Sequence, residues 1–176
     1  SGGIAIEHQK FPLYQLAASA RHALDDQAKE FQRSSGRAKD AISFLQTALG
    51  WEDFEHLAEW KNRLIEMLTP ATDEPALPRA FLMRLVEIHA LYAENRARWR
   101  RAERRREITR EQMEELIHYD KWQWRLVYHL GRFGERYPHH KETIDRLQQA
   151  LVREPDGFIA RLHVLARWTE LLTREG

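Results

Sequence analysis

Apolar residues recur three and four positions apart along most of the chain, with breakers between the periodic stretches, and this pattern predicts helices almost throughout. Alternating β-branched runs are missing, so strands are not expected. A first helix opens at Pro12 and carries Leu13, Leu16, Ala17, Ala20, Leu24, Ala28 and Phe31 as far as Ser34-Ser35-Gly36. A second carries Ala38, Ala41, Ile42, Leu45, Ala48 and Leu49, with Gly50 as its C-terminal cap. The third begins at Trp51 to Asp53, where Glu52 and Asp53 suit the positive end of the helix dipole, and stops at Thr69-Pro70. Its inward face is Phe54, Leu57, Ala58, Leu64, Ile65 and Leu68, with Lys61 adding its aliphatic stem.

Pro70, Pro75 and Pro78 make the stretch 69–78 a loop and the best internal boundary. From Arg79 a long helix uses Phe81, Leu82, Leu85, Ile88, His89 and Tyr92, then turns arginine-rich. Thr109-Arg110-Glu111-Gln112 matches a capping box, so a new helix starts there and carries Met113, Leu116, Ile117, Gln123, Val127, Leu130 and Phe133 up to Tyr137-Pro138. Two shorter helices follow, one with Ile144, Leu147 and Leu151, the other after Pro155-Asp156-Gly157 with Phe158, Ile159, Leu162, Leu165, Ala166 and Leu172. The expected fold is all-α: a compact bundle of about seven helices. It forms either one domain over 11–176 or two sub-bundles, about 11–69 and 79–174, joined near 69–78. Residues 1–10 read as a tag scar or disordered lead-in, because the chain opens Ser1-Gly2-Gly3 without Met. That opening implies an accessory module of a longer protein.

Composition narrows the class. The chain has 176 residues, 31% of them charged and 43% hydrophobic, which is a globular balance. There is no Cys, which excludes disulfides, thiol nucleophiles and cysteine-based zinc sites. No apolar run approaches the roughly 18 residues of a membrane span, so a cytoplasmic protein without membrane contact is expected. The formal net charge is +1, but it is unevenly placed. Arg96, Arg98, Arg100, Arg101, Arg104, Arg105, Arg106 and Arg110 are opposed locally only by Glu103 and Glu107, a net +6, leaving 20 basic against 25 acidic residues elsewhere. Guanidinium forks fit phosphates and carboxylates, and Trp99 within the run offers a stacking surface. Nucleic acid or an acidic protein face is the partner this run would take; solvated pairing on an exposed helix is the plain structural reading.

Tyr119, Trp122, Trp124 and Tyr128 form the second unusual feature, since adjacent helical positions cannot all face one core. Trp122 and Trp124, with Tyr128, are therefore candidate anchors for a protein partner, while Trp51, Trp60 and Trp168 are assigned to the core. The segment Ala41 to Leu57 also reads as helix, Gly50, helix, but Glu52, Asp53, Glu55 and Glu59 would meet phosphates with the wrong sign. Within it, Ala48-Leu49-Gly50-Trp51 followed by Phe54 and Leu57 resembles short helical segments found beside other domains in bacterial and mobile-element proteins.

Enzyme signatures are sparse. Glu115 and His118 make the one Glu-x-x-His pair, where a di-metal helical site needs two. His139-His140 at a helix start are expected to be exposed. Arg84 and His89 have the Arg-x4-His spacing of HEPN-type all-α ribonucleases; that resemblance implies a pair acting on RNA phosphates, beside the plain reading of His89 as a part-buried structural residue. No glycine-rich phosphate loop or nucleophile elbow is present. The expected function is a non-enzymatic helical interaction or adaptor module, part of a larger bacterial protein or complex, without cofactor or metal. It would bind a protein partner through the aromatic patch and the arginine-rich helix. The alternative is a nucleic-acid-binding domain that uses the Arg96 to Arg110 stretch for phosphate contacts.

Overall fold

Ala41, Ile42, Leu45, Ala48 and Leu49, spaced as a helix would space them, instead form a β-hairpin in the computed structural model, which describes residues 1–7, 10–31, 40–71, 73–104, 109–119, 121–153 and 157–174. Strand β2 (Ala41–Phe44) pairs antiparallel with β3 (Thr47–Gly50), Ala41 opposite Gly50 and Phe44 opposite Thr47. All four β2 residues are buried. A strand covered on both faces shows a continuous apolar run rather than alternation, and its periodicity cannot be told from that of a buried helix. The turn hides the hairpin further. Leu45 and Gln46 both hold left-handed backbone, φ 48° and 60°, the twist a two-residue hairpin requires, yet neither is the Asn or Gly that advertises such a turn.

The chain divides into two compact units, Ser1–Trp60 and Lys61–Gly176, the division falling within helix α2 (Trp51–Leu68). In the first unit Gly2–Ile4, assigned by sequence to a lead-in, form β1, parallel to β2 with Gly2 opposite Ile42. Helix α1 (Leu13–His22) then runs on through a π-helical turn, Ala23–Ala28. The expected first helix beyond Phe31 lies outside the described residues. β1 presses on the π-helical turn so closely that a Cβ on Gly3 would lie 2.5 Å from the Leu24 nitrogen, so only glycine fits. Ser43, fully buried in β2, donates its hydroxyl to Gln27 Oε1 at 2.5 Å. Gly50 is thus the end of a strand and not a helix cap, and the helix, Gly50, helix reading of Ala41 to Leu57 gives way to hairpin and helix. Phe54 meets both Phe44 and Trp51 edge-on, at 5.6 and 6.1 Å. Trp60 is buried, whereas Trp51 is 42% exposed and does not belong to the core.

The second unit is helical among its described residues: α3 (Ala80–Arg104), α4 (Arg110–Tyr119), α5 (Trp122–Arg136), α6 (Lys141–Arg153) and α7 (Leu162–Thr173), with 3-10 turns at Pro138–His140 and Phe158–Arg161. α3 packs on α5 and α7, and α5 on α6. Phe81, Leu85 and Ile88, Leu126 and Leu130, Ile144, Leu147 and Leu151, and Ile159, Leu162 and Leu165 fill its core. The proline-rich loop belongs to this unit. Leu77 is buried and its N–H donates to the Met67 carbonyl at 2.8 Å, while Arg79 Nη2 donates to the Thr173 carbonyl at 2.6 Å. Trp168 is half-buried beneath the Lys61 ammonium, 4.8 Å from its ring. The molecule is therefore mostly helical with one small sheet, and no described helix is long and apolar enough to cross a membrane.

Because Leu45 and Gln46 carry the hairpin's left-handed backbone without side chains suited to it, replacing them by Asn-Gly should stabilise the first unit by about 1 kcal/mol. A raised urea midpoint with an unchanged slope is the expected result; a lowered midpoint would show that Leu45 or Gln46 contributes packing worth more than the strain.

Candidate interaction surface

The single helix expected from Thr109 to Phe133 is two, α4 and α5. α4 starts as the capping box predicts: Thr109 Oγ1 accepts from the Gln112 N–H at 3.3 Å, and Gln112 Oε1 accepts from the Thr109 N–H at 3.1 Å. Lys121, with φ −61° and ψ −6°, precedes α5 as its N-cap. The buried line of α5 is Trp122, Leu126, Leu130 and Gly134, the four-residue step of a helix face. Gln123 and Val127, expected inside, are exposed.

Trp122 is only 2% exposed and meets Tyr92 of α3 edge-on at 5.3 Å, so it is a core residue and not a surface anchor. Two positions on, Trp124 is 66% exposed and Tyr128 49% exposed, their rings stacked with centroids 5.3 Å apart and planes within 8°. Val127, 47% exposed, adjoins them. At roughly 100° per residue, Trp124, Tyr128, Gly131 and Glu135 form one line along the outside of α5. Lys121, Arg125, Arg132 and Arg136, all exposed, form a second line beside it. The sequence reading missed this basic flank, although its spacing of four, seven and four residues was visible. Arg136 lies 5.9 Å from the Tyr137 ring. His129, Arg132, Phe133, Glu135 and Arg136 line a shallow groove of about 500 Å³ at the end of the helix. Burial holds the His129 imidazole below its usual range, helped by the guanidinium of Arg84 and opposed by Glu87.

The arginine run is less uniform than its sequence. Arg96, Arg98 and Trp99 are half-buried, and Arg98 pairs with Glu94 at 3.1 Å. Arg100, Arg101 and Arg104 are exposed at the end of α3, and Arg110 pairs with Glu114 at 3.2 Å in α4. Arg105 and Arg106 lie outside the described residues.

The remaining candidates separate. Arg84 and His89 are about 140° apart around α3, and they face different surroundings. Arg84 is exposed and paired with Glu87 at 2.5 Å, whereas His89 turns toward the 3-10 turn that leads into α7, where its Nε2–H donates to the Ala160 carbonyl at 3.2 Å. Its ring lies 4.2 Å from that of His163. Arg84 and His89 thus do not converge on one phosphate. His139 is exposed, but His140, expected to be exposed too, is buried and donates Nε2–H to the Pro75 carbonyl at 2.9 Å. The Glu115 and His118 side chains lie outside the described residues. Among the described residues, no three His, Asp or Glu side chains are grouped to hold a metal ion.

Burial, and then the neighbouring His163, push the His89 imidazole down to about 4, against the smaller opposing effect of its hydrogen bond to Ala160. Between that value and the ordinary 6.5, the unfolded chain takes up a proton that the folded chain refuses. Stability should therefore fall as pH drops from about 6.5 to 4, by about 1 kcal/mol for this group once solvent screening is allowed for. Denaturant midpoints for wild type and His89→Gln across that range check it; parallel curves would remove His89 as the source. No protein-family model, curated protein or solved structure matches the chain.

Proposed function

We propose that this chain is a non-enzymatic interaction module that holds a protein partner on the outer face of α5. The observation that carries the reading is the Trp124–Tyr128 stack standing in solvent on a helix whose inner face is fully occupied by its own core. An aromatic pair buries some 150–250 Å² per ring when covered, and Trp and Tyr are the residues that most often dominate binding energy. Among the described residues the Trp122–Tyr92 contact closes the core behind them, and the one further ring contact of the stack is Tyr128 with its neighbour His129 at 5.3 Å. The exposed Val127 and the shallow groove near Phe133 extend the same face. A partner seated there would desolvate the stack and meet Arg125 and Arg132 at its rim.

A variant with Trp124→Ala and Tyr128→Ala tests this. In capture experiments from source-cell extract, followed by titration of the partner recovered, the double variant should bind at least about 30-fold more weakly. Its melting temperature should stay within about 3 °C of wild type, because neither ring supports the core. Undiminished binding would overturn the proposal, and a collapse of the melting temperature would make the stack structural.

A second reading rests on Arg100, Arg101 and Arg104, which are exposed within about 100° of one another around α3. Such a cluster can contact phosphates, and on this reading single-stranded RNA or DNA binds with micromolar affinity that falls by powers of ten from low to near-physiological salt. Replacing the three arginines by Glu should abolish fluorescence-anisotropy binding while leaving the helical circular dichroism unchanged. Absence of binding at low salt, or binding that survives the triple variant, would reject it.

A further inference from the structure

Gly131 sits in the middle of α5, where glycine weakens a helix relative to alanine. Among the described residues, nothing requires it. A Cβ built there meets no atom within 4 Å, whereas a Cβ on Gly134, one turn on and facing inward, would touch Lys141 Cγ at 3.5 Å. Gly131 is followed by Glu135 and preceded by Tyr128 and Trp124, spacings of four, seven and eleven residues from Trp124 that make one stripe about 17 Å long. The missing side chain leaves a notch in that stripe beside the stacked rings. A helix laid along α5 could bring its own backbone into the notch, and small residues at such crossings allow the shortest interaxial distances.

Charge indicates what kind of helix. Lys121, Arg125, Arg132 and Arg136 run along one side of the stripe, Arg125 and Arg132 without an ion pair among the described residues, and Glu135 is the single exposed acid on this face of α5. At the far end of the track, beside Arg136, a nucleic acid would have a phosphate directed at Glu135, and the aromatic rings are already stacked on each other rather than splayed to receive bases. A helix of three to four turns, apolar along its centre and acidic along one edge, satisfies the rings, the notch and the basic flank together.

We infer that the partner docks through an acidic amphipathic helix that lies along Trp124, Tyr128 and Gly131, with Gly131 as the point of closest approach. This rests on the reading of α5 as the partner-binding face and specifies its ligand. The test is a nuclear magnetic resonance titration of the whole chain with two synthetic helices of about 20 residues, identical in their leucine stripe but flanked by Glu in one and Lys in the other. The Glu helix should shift the Gly131 amide and the Trp124 indole resonances. Gly131→Leu should weaken its binding about tenfold or more while melting no lower than wild type, and the Lys helix should leave α5 unperturbed.

The inference is overturned by no shift with the Glu helix, equal shifts with the Lys helix, unchanged binding by Gly131→Leu, or larger shifts of the same resonances with a single-stranded oligonucleotide. Shifts that depend on the concentration of the protein alone would assign the face to a second copy and overturn it as well. If the Glu helix fails but the Trp124 and Tyr128 double variant still loses its cellular partner, the face is right and the acidic helix is wrong. If the double variant keeps its partner, the reading of α5 itself has failed.

Discussion

Tyr92 projects from α3 into the core and Trp122 closes on it edge-to-face at 5.3 Å, both rings almost completely buried. A helix rotates about its axis as a unit, so fixing one large side chain fixes the direction of every other. With Trp122 inside, Leu126 and Leu130 follow it inward, and Trp124 and Tyr128 can only point out. The edge-on contact between Phe81 and Phe133, at 5.0 Å, holds the same rotation nearer the other end of α5. What the second unit offers to its surroundings is therefore settled by what its core accepts. The proposed surface needs no movement to form, so ordering costs on binding fall mainly on the partner.

The first unit works under a different constraint. It has few large buried side chains and relies on close backbone approach, Gly3 against the π-helical turn and a sheet of three short strands. Its α1 buries no residue at all. Exposed Leu13 and Tyr14 on that helix show that amphipathic spacing in a sequence does not guarantee a covered face.

Most helices of the second unit were legible from apolar spacing between breakers, with a side-chain cap adding to the signal at α4, while the start of α5 carries no such cap and was missed. Thr109 and Gln112 form the reciprocal capping pair that their spacing announces, and the ends at Thr69-Pro70 and Tyr137-Pro138 fall where proline forces them. The hairpin was illegible for two physical reasons: burial on both faces erased the alternation of Ala41–Phe44, and Leu45 and Gln46 bear left-handed backbone that their identities do not signal. The site was half legible. That Trp122, Trp124 and Tyr128 could not share one core follows from helical geometry, but which of them turns outward is fixed by the α5 line Trp122, Leu126 and Leu130 that the core takes in. Spacing counted from Leu116 assigns Gln123 and Val127 to the interior, whereas both are exposed. Gly131 went unnoticed because a helical glycine gains meaning only when its surroundings prove empty.

His140 and Pro75 bear on how this protein can be dissected. Three prolines in a ten-residue stretch invite a cut, yet the Pro75 carbonyl is the acceptor for a buried imidazole, and Leu77 is packed out of solvent. A fragment starting at residue 79 would keep every long helix of the second unit and still lose two of its internal partners, stranding the N–H of His140 in the interior. The loop is better regarded as a buckle than as a hinge: short, stiffened by its prolines, and fastened at both ends to the helices it joins.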